Sequence, residues 1–161
     1  MERPWKLNVT TDQDYELWVL LNQARDATLR AREDELRRQV GISAIQAAVL
    51  FIVKAVKVPA TPAEISRWLF REPHTVSGLL DRMEKKGLIT KAKDLERKNL
   101  IRVALTEKGE EAYRRSRDMK VIPKILSSLT GRKKDNLRGY LEKLRNKALE
   151  ELRIEHPLPF P

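Results

Sequence analysis

"HTVSGLLDRMEKKGLI", His74 to Ile89, decides how this chain is read. Val76, Leu79, Leu80 and Met83 recur at i, i+3, i+4 and i+7, the spacing of one buried helical face. At ~100° per residue, the opposite face holds His74, Gly78, Asp81 and Lys85, flanked by Thr75, Ser77 and Arg82. Gly87 stops the helix. The outward face is therefore small and polar at the start and basic at the end. So little bulk, with glycine at the centre, suits a helix whose backbone lies close against another surface.

The flanking residues say which kind of helix this is. Upstream, Thr61-Pro62-Ala63-Glu64 is a capping box with proline at the first helical position, where no N–H is needed. It opens a helix over 62–70 that turns Ile65, Trp68 and Leu69 inward, and "REP" breaks it. Before that, Ser43-Ala44-Ile45-Gln46 is a second capping box. It starts an apolar helix reaching Val56, expected to be the central core helix. Downstream, "LITKAK" and "NLIRVAL" are two β-rich runs around the polar "DLERK", which reads as a hairpin with a basic tip. Two short helices joined by a three-residue break, then a hairpin, make a winged helix-turn-helix.

A long helix precedes this unit, from Asp12 to Gln39, with Tyr15, Trp18, Leu21 and Ala24 at helical spacing. Thr106 opens another, expected to run to Leu129 and to kink or break at Pro123. A last amphipathic helix is expected from Arg132 to Arg153. The fold class is thus mainly α with a small β-hairpin wing. The expected parts are an N-terminal helical part (1–42), a winged helix-turn-helix (43–106) and a C-terminal helical part (107–161), the two helical parts being those to which the family resemblance described below assigns dimerisation.

Charge points to a polyanion. The 161 residues hold 33 Lys and Arg against 23 Asp and Glu, a net +10, and nucleic acid is the usual partner of such a protein. The excess is uneven, because residues 114–161 carry 13 basic and 6 acidic groups. The most basic segment therefore need not be the reading surface. The hairpin beside the 74–87 helix turns the balance toward DNA. His74, Thr75 and Ser77 are expected to bond base edges or phosphates, and Gly78 to let the backbone approach. Arg82, Lys85 and Lys86 are expected to neutralise phosphates. Asp81 is expected either to pair with Lys85 or to accept from a cytosine amine.

Over Glu35 to Gly109 the sequence resembles the MarR family of bacterial and archaeal transcriptional regulators. The carriers are "ELRRQVGISAIQAAVL", "TPAEISRWLFREPHTVSGLLDRMEKKGLI" and "LIRVALTEKG". The resemblance implies a homodimer, triangular in outline, with the first and last two helices of each subunit interlocked. It implies recognition helices in successive major grooves of a near-palindromic double-stranded operator, wings in the flanking minor grooves, and repression relieved by a small-molecule effector. One stretch departs from the family. The wing commonly reads D-x-R-D-x-R, whereas here "DLERKN" keeps Asp94 but puts Glu96, Arg97 and Asn99 at the other marked positions. A minor-groove probe needs a cation, so Lys93, Arg97 and Lys98 are the candidates.

Several classes are set aside. There is no cysteine, so no disulfide, thiol switch or cysteine-ligated zinc, and only two histidines, so no metal site is expected. No glycine-rich phosphate loop or carboxylate cluster suggests an enzyme or a cofactor. The longest apolar run, Ala47 to Val53, is too short to span a membrane, and the expected location is cytoplasmic. Tyr15, Trp18 and Trp68 read first as core and second as the lining of an effector pocket. Two other functions are weighed beside operator binding. One is a winged-helix module for a protein partner, and the other is weakly specific architectural DNA binding.

Overall fold

The computed structural model describes residues 13–56, 60–94, 96 and 99–155. Helix α1 spans Gln13–Gln39, α2 Ala44–Ala55, α3 Pro62–Leu69 and α4 Pro73–Lys85. The hairpin follows as β1, Ile89–Lys93, and β2, Ile101–Leu105. Then come α5, Glu107–Ser116, α6, Val121–Leu126, and α7, Gly131–Glu151.

The core lies inside the winged unit. Val49, Leu50 and Ile52 of α2 meet Ile65 of α3, the Val76, Leu79, Leu80 and Met83 stripe of α4, and Ile89 and Val103 of the hairpin. All are 5% exposed or less. Leu36 from the last turns of α1 and Ala112 from α5 close it.

Local chemistry sets the helix ends. Ser43 accepts from Gln46 N–H while the Gln46 side chain accepts from Ser43 N–H, and Thr61 and Glu64 repeat the arrangement on α3. Each box satisfies orphan donors at both partners. Helix α3 ends at Phe70 in the left-handed region, φ 51° and ψ 45°. Ser66 Oγ donates to the Arg71 carbonyl at 2.5 Å and ties that turn down.

The hairpin is antiparallel, with Ile89 opposite Leu105 and Lys93 opposite Ile101. Its root is anchored by a bridge from Val103 N–H to the Ala60 carbonyl at 2.8 Å. The root of the wing therefore belongs to the core.

The segment after the wing differs from the expectation of one helix over 106–129. It is two helices, and the chain breaks at 117–120, before Pro123. Pro123 sits in the first turn of α6, where its missing N–H costs nothing. The break is held from outside. Glu35 Oε1 on α1 accepts from Lys120 N–H at 2.8 Å and Val121 N–H at 3.0 Å. It thus serves α6 as a cap borrowed from another helix. Arg32 Nη1 donates to Glu35 Oε2 at 2.5 Å, and Arg32 Nη2 to the Ser116 carbonyl.

Outside the winged unit few of the described residues are buried. Helices α6 and α7 contain no buried residue, and α1 buries only Glu35 and Leu36. Tyr15 and Trp18, read first as core, are exposed at 47% and 60%. Their stripe is apolar, but the described residues leave it largely exposed. Among the described residues no single helix is long and apolar enough to cross a membrane.

Candidate nucleic-acid interface

Helix α4 presents the predicted outer face. His74, Thr75, Ser77, Arg82, Lys85 and Lys86 are exposed, and Gly78 is half-buried between them. Space above Gly78 is open: an added Cβ would meet only Arg82 Nη1, at 3.6 Å. Packing among the described residues therefore does not require glycine there. The start of α4 has Pro73 at its first position and no side-chain cap from Glu72. Its first-turn N–H groups therefore still need acceptors, the condition under which helix N-termini take up anions. The C-terminal end carries the cations. Lys86 also gives its carbonyl to Lys108 Nζ, 2.7 Å away, which binds α5 to this end.

Asp81 departs from the first of its two expected roles. It does not pair with Lys85. Strand β1 runs beside α4 and brings Lys91 Nζ to 2.5 Å from Asp81 Oδ1. The same ammonium lies 3.2 Å from Glu84 Oε2, and Lys91 N–H donates to Glu84 Oε1 at 3.0 Å. The hydrogen bond from Lys91, with its charge, holds the Asp81 carboxyl below the usual carboxylate range. The same bond holds the Lys91 ammonium above its ordinary value. Sequence reasoning missed Lys91, which lies ten residues from Asp81 on a different element, where no helical spacing could signal it.

The wing has its own ion pair. Arg102 Nε on β2 donates to Asp94 Oδ2 at 2.6 Å, and Glu96 N–H donates to Asp94 Oδ1 at 2.8 Å. Asp94 N–H donates to the Leu100 carbonyl at 2.8 Å and extends the ladder past Lys93. Lys93 is exposed at the end of β1. Arg97 and Lys98 lie outside the described residues. Arg102 is thus one partner of Asp94 that the wing pattern did not point to. It sits three residues beyond the motif, so motif matching passes over it.

Of the residues read as a second-choice effector lining, Tyr15 and Trp18 are neighbours on α1, with ring centroids 5.9 Å apart. Trp68 is half-buried on α3, packed against the core.

The MarR family model matches residues 40–98, which run from the end of α1 through α4 into the wing. The structure of the organohalide-sensing RdhR-CbdbA1625 transcriptional regulator with 2,4-dichlorophenol bound is 30% identical, with a TM-score of 0.86 over 100% of this chain and 96% of that one. This chain belongs to the MarR family of winged-helix transcriptional regulators. Two further structures share the fold of this MarR-family protein. One is a mutant MarR from E. coli in complex with operator DNA, 21% identical, TM-score 0.75, covering 83% of this chain and 99% of that one. The other is MepR from S. aureus in complex with DNA, 20% identical, TM-score 0.74, covering 86% and 99%. No match was found among the curated proteins.

Proposed function

We propose that this MarR-family protein is a homodimeric repressor. It reads a near-palindromic double-stranded operator through α4, with the wing in the flanking minor groove and a small-molecule effector that releases it. The observation that carries the DNA reading is the outer face of α4. Its small polar start is uncapped, Gly78 has open space above it, and its cationic end stands next to the wing.

Two independent observations support the rest. Apolar side chains are left exposed on the first half of α1 (Leu17, Trp18, Leu20), on α7 (Tyr140, Leu144) and at its C-cap (Leu152), all between 56% and 63%. Patches of this kind mark protein contacts, and a second copy pairing these helices covers both at once. For the effector, an open cleft of about 770 Å³ lies between α1, α2 and the turn before α4. Leu29, Ile45 and Leu69 give it an apolar lining, Arg30 and Arg71 flank it, and its Asp26 and Glu33 carboxylates are paired with Arg25 and Arg37. That chemistry suits a small aromatic weak acid. The 2,4-dichlorophenol bound by the related RdhR regulator is a compound of this type.

The test is fluorescence anisotropy on duplex from upstream of the protein's own gene against a scrambled duplex of equal composition. A preference of ~10³-fold at physiological salt is expected for the upstream site. Arg82→Ala with Lys85→Ala should lose roughly 100-fold in DNA affinity and flatten the salt dependence by about two phosphate contacts. Unchanged binding by that double variant would remove α4 from the interface.

Gly78→Ala separates reading from folding. Alanine in a helix interior is favoured over glycine by about 1 kcal/mol, and nothing at this position clashes with it. The variant should melt higher than wild type yet bind DNA at least ~10-fold more weakly, because a methyl pushes the helix out of the groove. A higher melting point with undiminished binding would mean that this face stays clear of DNA.

A further inference from the structure

Helix α4 puts negative charge beside its cations. Asp81 and Glu84 stand on the exposed side of a helix whose partner, on the reading above, is a polyanion. Two free carboxylates there oppose Arg82, Lys85 and Lys86 at close range. One residue answers both. Lys91 Nζ is 2.5 Å from Asp81 and 3.2 Å from Glu84, while its backbone N–H holds the second oxygen of Glu84. The Lys91 side chain is 23% exposed, against 52% for Asp81 and 41% for Glu84. The ammonium is thus drawn in against the helix rather than held out to solvent.

The arrangement also joins two elements. Lys91 is the middle residue of β1, opposite Val103, whose side chain is in the core and whose N–H is bonded to Ala60. A clamp at Lys91 therefore sets the wing strand against the recognition helix at a point rooted in the core.

We propose that Lys91 is a positioning residue for DNA reading, a clamp that masks the Asp81 and Glu84 carboxylates and fixes the angle between wing and recognition helix without itself touching a phosphate. The proposal rests on the DNA-binding reading of α4. It differs from an ordinary basic contact in a measurable way. A lysine that touches phosphate releases a counterion, so its loss lowers the salt slope by about 0.9, and no change elsewhere restores it. A masking lysine leaves the slope intact, and its loss is repaired by removing the charges it masks.

The experiment measures affinity for a short random-sequence duplex across a salt series. It compares wild type, Lys91→Met, Lys91→Arg and the triple variant Lys91→Met/Asp81→Asn/Glu84→Gln, with thermal melts to establish that each is folded. Lys91→Met should weaken binding roughly tenfold through two unmasked carboxylates facing DNA. Lys91→Arg should bind as wild type. The triple variant should return to within about threefold of wild type with the wild-type salt slope. A triple variant as weak as Lys91→Met, with a lowered slope, would make Lys91 a direct phosphate contact and overturn the proposal. Wild-type affinity in Lys91→Met would also overturn it. If Lys91→Met fails to fold, the triple variant still decides between masking and contact through its affinity and its salt slope. Wild-type chain that binds no duplex at low salt overturns the DNA reading itself, an outcome distinct from the other two.

Discussion

Gly109→Ala is expected to lower the melting midpoint by about 10 °C, through a loss of ~3 kcal/mol at 2–4 °C per kcal/mol for a chain of this size. Gly109 lies in the first turn of α5, where the helix crosses the start of β1. A Cβ built there would stand 1.9 Å from the Leu88 carbonyl oxygen and 3.0 Å from its carbon. Both are backbone atoms, so no side chain can swing aside. The carbonyl cannot rotate away freely either, because it accepts Thr106 N–H at 3.2 Å. Thr106 Oγ1 in turn donates to the Gly87 carbonyl at 2.5 Å and accepts Gly109 N–H at 3.0 Å. Relief must come from moving α5 off the hairpin, which opens the core at Ala112. Melting by circular dichroism at fixed protein concentration checks this. A shift under ~2 °C, the scale of an ordinary surface substitution, would mean the close approach is not maintained in solution.

Glu35→Ala is expected to cost about 3–5 kcal/mol, the range for breaking a buried ion pair from one side. Glu35 is 5% exposed, and the Arg32 side chain 12%. Truncation leaves the Arg32 guanidinium without its carboxylate and returns the Lys120 and Val121 N–H groups to the unsatisfied state. Adding Arg32→Met should recover part of the loss but not all, since the α6 donors remain orphaned. The pH dependence has a definite sign. Burial raises the Glu35 pKa, but the Lys120 and Val121 N–H bonds and Arg32 together outweigh it, and the carboxyl ends below its ordinary value. A depressed carboxylate contributes fully above its unfolded pKa of about 4.3 and loses that contribution as pH falls through the folded value. The stability gap between wild type and Glu35→Gln should be constant from neutral pH to about 5 and shrink below about 4. A gap that widened on acidification would contradict this sign.

These residues show how far sequence reading reached. The α4 stripe was legible because Val76, Leu79, Leu80 and Met83 bury themselves against their own chain, at a spacing that repeats locally. The caps at Ser43 and Thr61 were legible because both partners lie within four residues. The hairpin was legible from β-branched runs around a polar tip. What escaped depends on separation. The α5–α6 break sits at 117–120 because a carboxylate some 85 residues earlier takes its donors, and Pro123, the obvious breaker, is an innocent first-turn residue. Asp81 looked like a partner for Lys85 because helices offer i+4 neighbours, yet the strand returning beside α4 offers a closer one. Tyr15 and Trp18 follow the helical period faithfully, but periodicity says that a face is apolar and not who covers it.

On the homodimer reading, the exposed face of α1 and α7 makes abundance a structural variable. Helix α7 contains no buried residue, and most helical stability in a protein comes from packing of an apolar face rather than from the helix alone. Under the pairing proposed above, dilution would loosen α7 and the first half of α1 while the winged unit, with its complete core, stays folded. A growing cell that stopped making the protein would then release its genes by mass action, before any molecule had been degraded.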